Sequence, residues 1–478
     1  MPTQAPEAWG EAVTSPLPVP TRPPRRTLKP GDPLAVAVAN GSLLGAGYAM
    51  LGRWVLAVLS GLVSIALVVV LATSVRTLWL ELVVVGWWVA VIAHGWFLAS
   101  RKPALGTNTR KQRLVALGIT VPVLLAFGLL RFDAARIDGD VADARASGDC
   151  AAAMSSLDSR WFGHTVANAP LTAEGDDTVR ACGLLQTASR ELNTGLGGDT
   201  DAVEAGIGRL STVLNELPGH EKMVERTLDK FLDALPVKDA CYTADITDTL
   251  RDTRAKGMDR IGDIVPDVAP EAIVGCADAY MADERWQEAL DRYKQLLDQY
   301  PDHELAGKAE EGATLATQAI ELANVRQLLT LTGAGGLPEY CTSPAPYSAA
   351  APYGAASPNR AMVFGDEYGG RLPPDWVATD AANAVVVICA SEAQFGTPQE
   401  TCNYESTPDS PIFTAVTFHR IGVPVRVFEL KTGKLIHDTR IEIGGASCPD
   451  TIFGLENTRY VEPADGDIHG AYSPLINP

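Results

Sequence analysis

The sequence predicts a multi-domain protein with an α-helical membrane anchor, an all-α helical repeat region and a small, disulfide-containing, β-rich C-terminal domain. Three observations carry this. Long apolar runs are confined to the first 130 residues; residues 131–332 place apolar side chains at helical spacing with few β-branched runs; residues 384–443 hold strand-like segments, two of them flanking a glycine turn. Charge divides the same way. Residues 1–130 hold 11 Lys+Arg and 4 Asp+Glu, a net of +7, and residues 131–478 hold 28 and 54, a net of −26. So acidic a body repels nucleic acid, which excludes DNA or RNA as a partner.

Residues 1–33 contain nine prolines and no apolar run. Such a segment cannot bury enough surface to offset its ordering entropy, so it reads as a disordered, basic, cytoplasmic tail ending in Arg22, Arg25, Arg26 and Lys29. The membrane domain follows at 34–130. Segments 54–72, 78–99 and 114–130 are apolar over 19, 22 and 17 residues. Those lengths suit a hydrocarbon core of about 30 Å, and backbone in lipid must be helical to satisfy its own hydrogen bonds.

The loop 100–113 carries Arg101, Lys102, Arg110, Lys111 and Arg113 and no acid, which places it on the cytoplasmic side. Helix 114–130 then delivers everything after it outside the cell. The basic tail also belongs inside, so 34–51, interrupted by Asn40, Gly41, Gly45 and Gly47, reads as a re-entrant or interface-lying helix. The alternative is a fourth crossing with the tail outside. Glu81 and His94 lie near opposite ends of one span, 13 residues or about 20 Å apart, too far to form a relay. Trp79 and Trp96 fit the two aromatic belts.

Cysteine placement is a second indicator of sidedness. All eight (Cys150, Cys182, Cys241, Cys276, Cys341, Cys389, Cys402, Cys448) lie beyond residue 149, in the part assigned to the outside. An even number in an oxidising space suggests disulfides; buried free thiols are the alternative. Cys389 and Cys402 bracket a predicted turn at Gly396-Thr397-Pro398, which suggests that pair. Cys341 with Cys448, Cys150 with Cys182 and Cys241 with Cys276 complete one assignment, although four cysteines alone allow three connectivities.

In the helical region the best-defined stretch is 270–303, with predicted helices near 270–282 and 286–299. Ile273, Cys276, Ala277, Tyr280, Ala289, Tyr293 and Pro301 fall at the spacing of the tetratricopeptide signature, with Ile273 and Cys276 as apolar stand-ins. This resembles one tetratricopeptide repeat. Tyr280 would be a large knob on the first helix, Ala289 the small residue at the helix crossing, and Pro301 the stop. Residues 141–157 and 210–218 resemble parts of further copies, and 304–325 carries a helical stripe at 305, 309, 313, 316, 320 and 323. An irregular helical bundle is the alternative.

Residues 333–359, opening with Gly333-Ala334-Gly335-Gly336 and rich in Pro, Ala and Ser, read as a linker. No Lys-Ser or Lys-Thr follows the glycines, so they are not a phosphate loop. The β-rich domain spans 360–478. Residues 384–389 suit a central strand, 413–420 alternates, and 424–430 and 435–443 flank Lys431-Thr432-Gly433-Lys434, where Gly433 supplies a hairpin's positive φ. This layout, the anchor and an arginine-rich composition of 28 Arg to 11 Lys resemble multi-pass, tetratricopeptide-repeat membrane proteins of high-GC Gram-positive bacteria. That uncharacterised family implies no activity and no site residues.

No catalytic signature, cofactor site or metal site is predicted. Asp366-Glu367 and Asp465-Gly466-Asp467 lack calcium-loop spacing, Ser391 and Ser447 lack a nucleophile elbow, and the cysteines form no CxxC pair. His419 and His437, on adjacent predicted strands, could meet but have no third partner. The expectation is a non-enzymatic envelope scaffold or adaptor in the cell membrane, its outer part holding another envelope protein or peptide segment. An extracytoplasmic ligand sensor is the alternative, and an envelope hydrolase a further one.

Overall fold

The computed structural model describes residues 31–73, 78–101, 109–167, 169–252, 257–331, 336–355, 357–407, 410–454 and 456–478. The tail 1–30, most of the basic loop and Gly333–Gly335 lie outside them. The chain forms two compact units. One comprises the described residues of Met1–Glu191, Ala205–Lys230 and Ala255–Gly257, the other those of Leu192–Glu204, Phe231–Arg254 and Met258–Pro478.

The first unit begins with two short helices, α1 (Pro33–Asn40) and α2 (Ala46–Met50), followed by α3 (Trp54–Thr73), α4 (Leu78–Ser100) and α5 (Thr109–Ser147). Helices α3, α4 and α5 are each long and apolar enough to cross a membrane. Segment 34–51 is a helix–turn–helix, and its eight-residue α1 rises only about 12 Å, too short to span. It packs against α4 and α5. Asp32 meets Arg113 at 2.5 Å at the start of α5, the Thr120 hydroxyl donates to Val38 O at 2.7 Å, and the Trp88 indole donates to Gly41 O at 3.0 Å. Trp88 is mid-way along α4, so the turn at Gly41 reaches mid-height of that helix. The turn's irregular backbone is tolerated there because it is enclosed by protein. Gly45 supplies a φ of 68°, and a Cβ on Gly47 would collide with Val36 O. Only glycine lets these two helices close.

Helix α5 differs from the expected boundary at residue 130. It runs 39 residues without a break, so the third apolar span and the polar residues 131–147 that follow it are one helix. Asp133, Arg136 and Asp138 make the sequence polar but do nothing to end a helix; that falls to Gly148, with a φ of 73°. Helices α6 (Cys150–Asp158), α7 (Phe162–Ala167), α8 (Ala169–Gly195), α9 (Thr200–Glu216) and α10 (Glu221–Leu232) follow. Asp149 caps α6 by accepting from Ala152 N at 3.0 Å.

The second unit contains α11 (Ala240–Asp252), α12 (Asp259–Ala282), α13 (Trp286–Gln299) and α14 (Ala306–Leu328), each packed on the next. Its β domain has six strands: β1 (Ala361–Phe364), β2 (Val386–Ala390), β3 (Gln394–Thr407), β4 (Ser410–Glu429), β5 (Leu435–Ile443) and β6 (Thr458–Tyr460). Strand β4 organises the sheet. Its first half pairs β3 and, in parallel, β6; its second half pairs β2 and β5, and β1 joins β2 in parallel. The predicted runs 413–420 and 424–430 are thus one strand. The hairpin turn holds Gly433 at a φ of 67°.

The second half of β4 is buried on both faces. Val425, Val427, Val386 and Ile388 enter one core with Ile468, Tyr472, Leu475 and Ile476 of a C-terminal helix, α15 (Asp465–Ile476). Phe428, Leu430, Val387 and Cys389 enter a second core with Val325 and Leu329 of α14. The two-residue period of the strand sorts its side chains between the cores. Segment 336–359 is no linker. Tyr340 and Cys341 are fully buried in the second core, Tyr347 N donates to Leu430 O at 2.8 Å, and Asn359 N donates to Ile476 O at 2.8 Å. Its few large side chains, mainly tyrosines, are sufficient to anchor an otherwise small-residue chain on the sheet.

The eight cysteines form four disulfide pairs: Cys150–Cys182, Cys241–Cys276, Cys341–Cys389 and Cys402–Cys448, with Cα–Cα distances of 5.5, 4.5, 5.8 and 5.9 Å. The last two correct the expected Cys389–Cys402 and Cys341–Cys448 pairs. Cys389 lies opposite Arg426 on β4 and Cys402 opposite Val416, ten residues or about 34 Å along the same strand. The predicted turn at Gly396-Thr397-Pro398 is instead a bulged stretch of β3 with register shifts on either side of Pro398.

Candidate functional site

The signature residues of 270–303 lie on α12 and α13. Pro266 and Pro270 sit inside α12, which therefore starts eleven residues before the predicted position. Ile273, Cys276, Ala277 and Ala289 are fully buried, and Tyr293 is 3% exposed. Cys276 also carries the disulfide to α11, a role beyond that of an apolar stand-in. Tyr280 is half-buried, with the Arg285 guanidinium 4.1 Å above its ring. Pro301 is exposed just beyond the end of α13.

Polar side chains tie these helices together. The Tyr293 hydroxyl donates to Asp278 at 2.6 Å, and Lys308 of α14 reaches the other oxygen of Asp278 at 2.6 Å. Burial, then Asp278, pushes the Tyr293 hydroxyl well above its ordinary pKa. Arg292 is held between Asp245 and Asp248 of α11. On α14 the backbone at Gly312 lies against the Tyr293 ring, where any Cβ would clash. The sequence stripe marked 309 and 316 on this helix, both buried, but not Gly312 between them. The outward side of α14 leaves Leu315 51% exposed.

The β domain contains a cleft of about 580 Å³ beside β3 and β6. Phe395 and Tyr460 stack at a centroid distance of 4.4 Å, with His419 beneath Phe395 at 5.2 Å. Phe453 is 89% exposed at its rim, and Arg459, Glu456 and Glu462 provide polar groups. The Arg459 guanidinium donates to Phe453 O, while its Nε is buried without a partner. The sequence did not reveal this cleft, because strands 394–407 and 458–460 were not legible there.

The remaining predicted candidates have structural partners. His419 contacts Gly396 O at 3.0 Å and His437 contacts the Tyr353 hydroxyl at 3.2 Å. They do not meet, since His437 lies opposite Val427, eight residues or about 27 Å along β4 from His419. Asp366 accepts from the Tyr472 hydroxyl and from Gly369 N, Asp465 pairs with Arg371, and Asp467 caps α15 through Ala464 N. Ser447 donates to Glu400 at 2.5 Å. Glu400 also lies beside Cys402 and Cys448, but those sulfurs bond each other and are not available to a metal. Among the long apolar helices, Glu81 pairs with Arg131 at 2.8 Å and His94 with the Tyr48 hydroxyl at 2.9 Å. Comparison with family profiles, curated proteins and solved structures returned no match to this chain.

Proposed function

We propose that this protein is a membrane-anchored envelope scaffold of the tetratricopeptide type, with its tail and basic loop cytoplasmic and residues 131–478 outside the cell. The observation that carries the reading is the run α11–α14, four helices each packed on the next. Stacked helical hairpins expose extended surfaces suited to a peptide or partner helix. Their setting supports the same reading. Three apolar helices anchor the chain, and every cysteine pair lies beyond residue 149, as an oxidising compartment favours. The resemblance to repeat-containing membrane proteins of high-GC Gram-positive bacteria is consistent with such a role.

The β-domain cleft favours a second reading, an extracytoplasmic sensor that takes a small ligand beside Phe395 and Tyr460. The two are separated in living cells by a photo-crosslinking side chain placed at Leu315 of α14 and, separately, at Phe453. A scaffold gives a discrete protein adduct from Leu315. Adducts from Phe453 alone favour the sensor, and none from either position contradicts the scaffold.

A further inference from the structure

We propose that the Cys150–Cys182 disulfide is a site of thiol–disulfide exchange with a small anionic thiol. The bond lies in the first unit and ties the first residue of α6 to α8. Both cysteines line a cleft of about 350 Å³ between the α5–α6 turn, α8 and α10. That volume is in the range of small-molecule sites. Cys150 is partly exposed there and Cys182 is 5% exposed. The sulfur of buried Met223 lies 3.6 Å from Cys150 Sγ, so a nucleophile approaches Cys150 from the cleft side.

Charge selects the reactant. In a body with 28 basic against 54 acidic residues, this cleft is lined by Arg190, Arg226 and Lys230 against one acid, Asp149. The Asp149 carboxylate accepts from Ala152 N at 3.0 Å. Arg226 spends one of its five donors on Ser147 O, at 3.1 Å. Lys230 has no ion-pair partner among the described residues. A thiolate is both the attacking and the leaving species in exchange, and nearby cations favour it in both roles. The other three bonds have different settings. Cys341 and Cys389 are 0% and 1% exposed, and Cys276 is fully buried. Its partner Cys241 sits beside an acid, Asp239, which accepts from its N–H at 2.8 Å. Cys402 and Cys448 are partly exposed, but a carboxylate oxygen of Glu400 lies within 4.8 Å of both sulfurs and repels a thiolate.

The incoming thiolate attacks Cys150 Sγ, the more exposed sulfur. A new S–S bond forms there, the Cys150–Cys182 bond breaks, and its electron pair leaves on Cys182 Sγ, which takes a proton from water. A second thiolate then attacks the mixed disulfide, releasing the oxidised small molecule and a Cys150 thiolate. Two thiols thus supply the two electrons that reduce the bond. The proposal needs neither the helical groove nor a β-domain ligand, so it stands apart from the scaffold and sensor readings.

The test uses the full chain in mild detergent at low salt, with limiting glutathione as an anionic thiol and 2-mercaptoethanol as a neutral one. Peptide mapping without further reduction should show Cys150–Cys182 opening before the other three bonds, with glutathione carried on Cys150. Arg226→Gln combined with Lys230→Gln, both at exposed side chains, should slow glutathione at this bond by about tenfold, as loss of electrostatic steering does. The same variant should leave 2-mercaptoethanol and the Cys402–Cys448 bond nearly unaffected, and high salt should erase most of the difference. Should circular dichroism show that the double variant loses helix, Lys230→Gln alone decides, with a slowing of about threefold expected. Another bond opening first, or an unchanged glutathione rate in the folded variant, would overturn the proposal.

Discussion

Replacing Cys341 and Cys389 together by alanine is expected to destabilise the β domain by about 4 kcal/mol, the entropy model's value for a closed loop of this size. The bond spans 48 residues and ties the turn 339–341, beneath α14, to central strand β2. Both sulfurs are buried, at 0% and 1% exposure, so alanine leaves no unsatisfied polar atom and the change reports mainly the lost cross-link. The effect should concentrate on the second core. Hydrogen exchange on the full chain in detergent would show amides of Tyr347 and Leu430, both bonded across this region, opening at lower free energy. A loss below about 1 kcal/mol would mean the cysteines are not bonded in the protein, because a loop of this length cannot close so cheaply.

The second large effect is expected where α13 meets its neighbours. Gly312→Val on α14 would drive a branched side chain into the Tyr293 ring, which cannot swing aside without breaking its 2.6 Å hydrogen bond to Asp278. Ala289→Leu would add bulk at a fully buried position of α13. Each should cost about 1–3 kcal/mol, as overpacking does. Gln287→Leu, exposed two residues before Ala289, should cost less than about 0.5 kcal/mol. Exchange rates across α12–α14 in the full chain compare the three variants. If Ala289→Leu matches Gln287→Leu, the helices do not approach at Ala289 and the tetratricopeptide reading fails.

What could be read from the sequence depended on whether a residue's local signal agreed with its tertiary setting. The hairpin around Gly433 was legible because alternation and turn chemistry coincide there, and the apolar spans because lipid leaves few alternatives. Strand β3 was obscured by Gly396 and Pro398, which signal a turn locally but are accommodated as a bulge by pairing with β4. That error carried over to the Cys389–Cys402 pairing. Helix α15 contains Gly466, Gly470 and Pro474, all poor helix residues, yet burial of Ile468, Tyr472 and Ile476 on the sheet holds it. The same override lets α12 accept Pro266 and Pro270. The two clefts were not legible at all, since each is assembled from segments far apart in sequence. For the membrane turn, glycines and Asn40 indicated an interruption, but its packing against Trp88 and Thr120 depends on the fold.

The central claim is that the membrane helices hold the acidic body outside the cell, and sidedness tests it most directly. A reporter active only outside the cell is fused after Thr107, in the basic loop, and separately after Pro478. Silence is expected from the first fusion and activity from the second. Activity at Thr107 with silence at Pro478 would contradict the claim, and with it the compartment in which four disulfides could form.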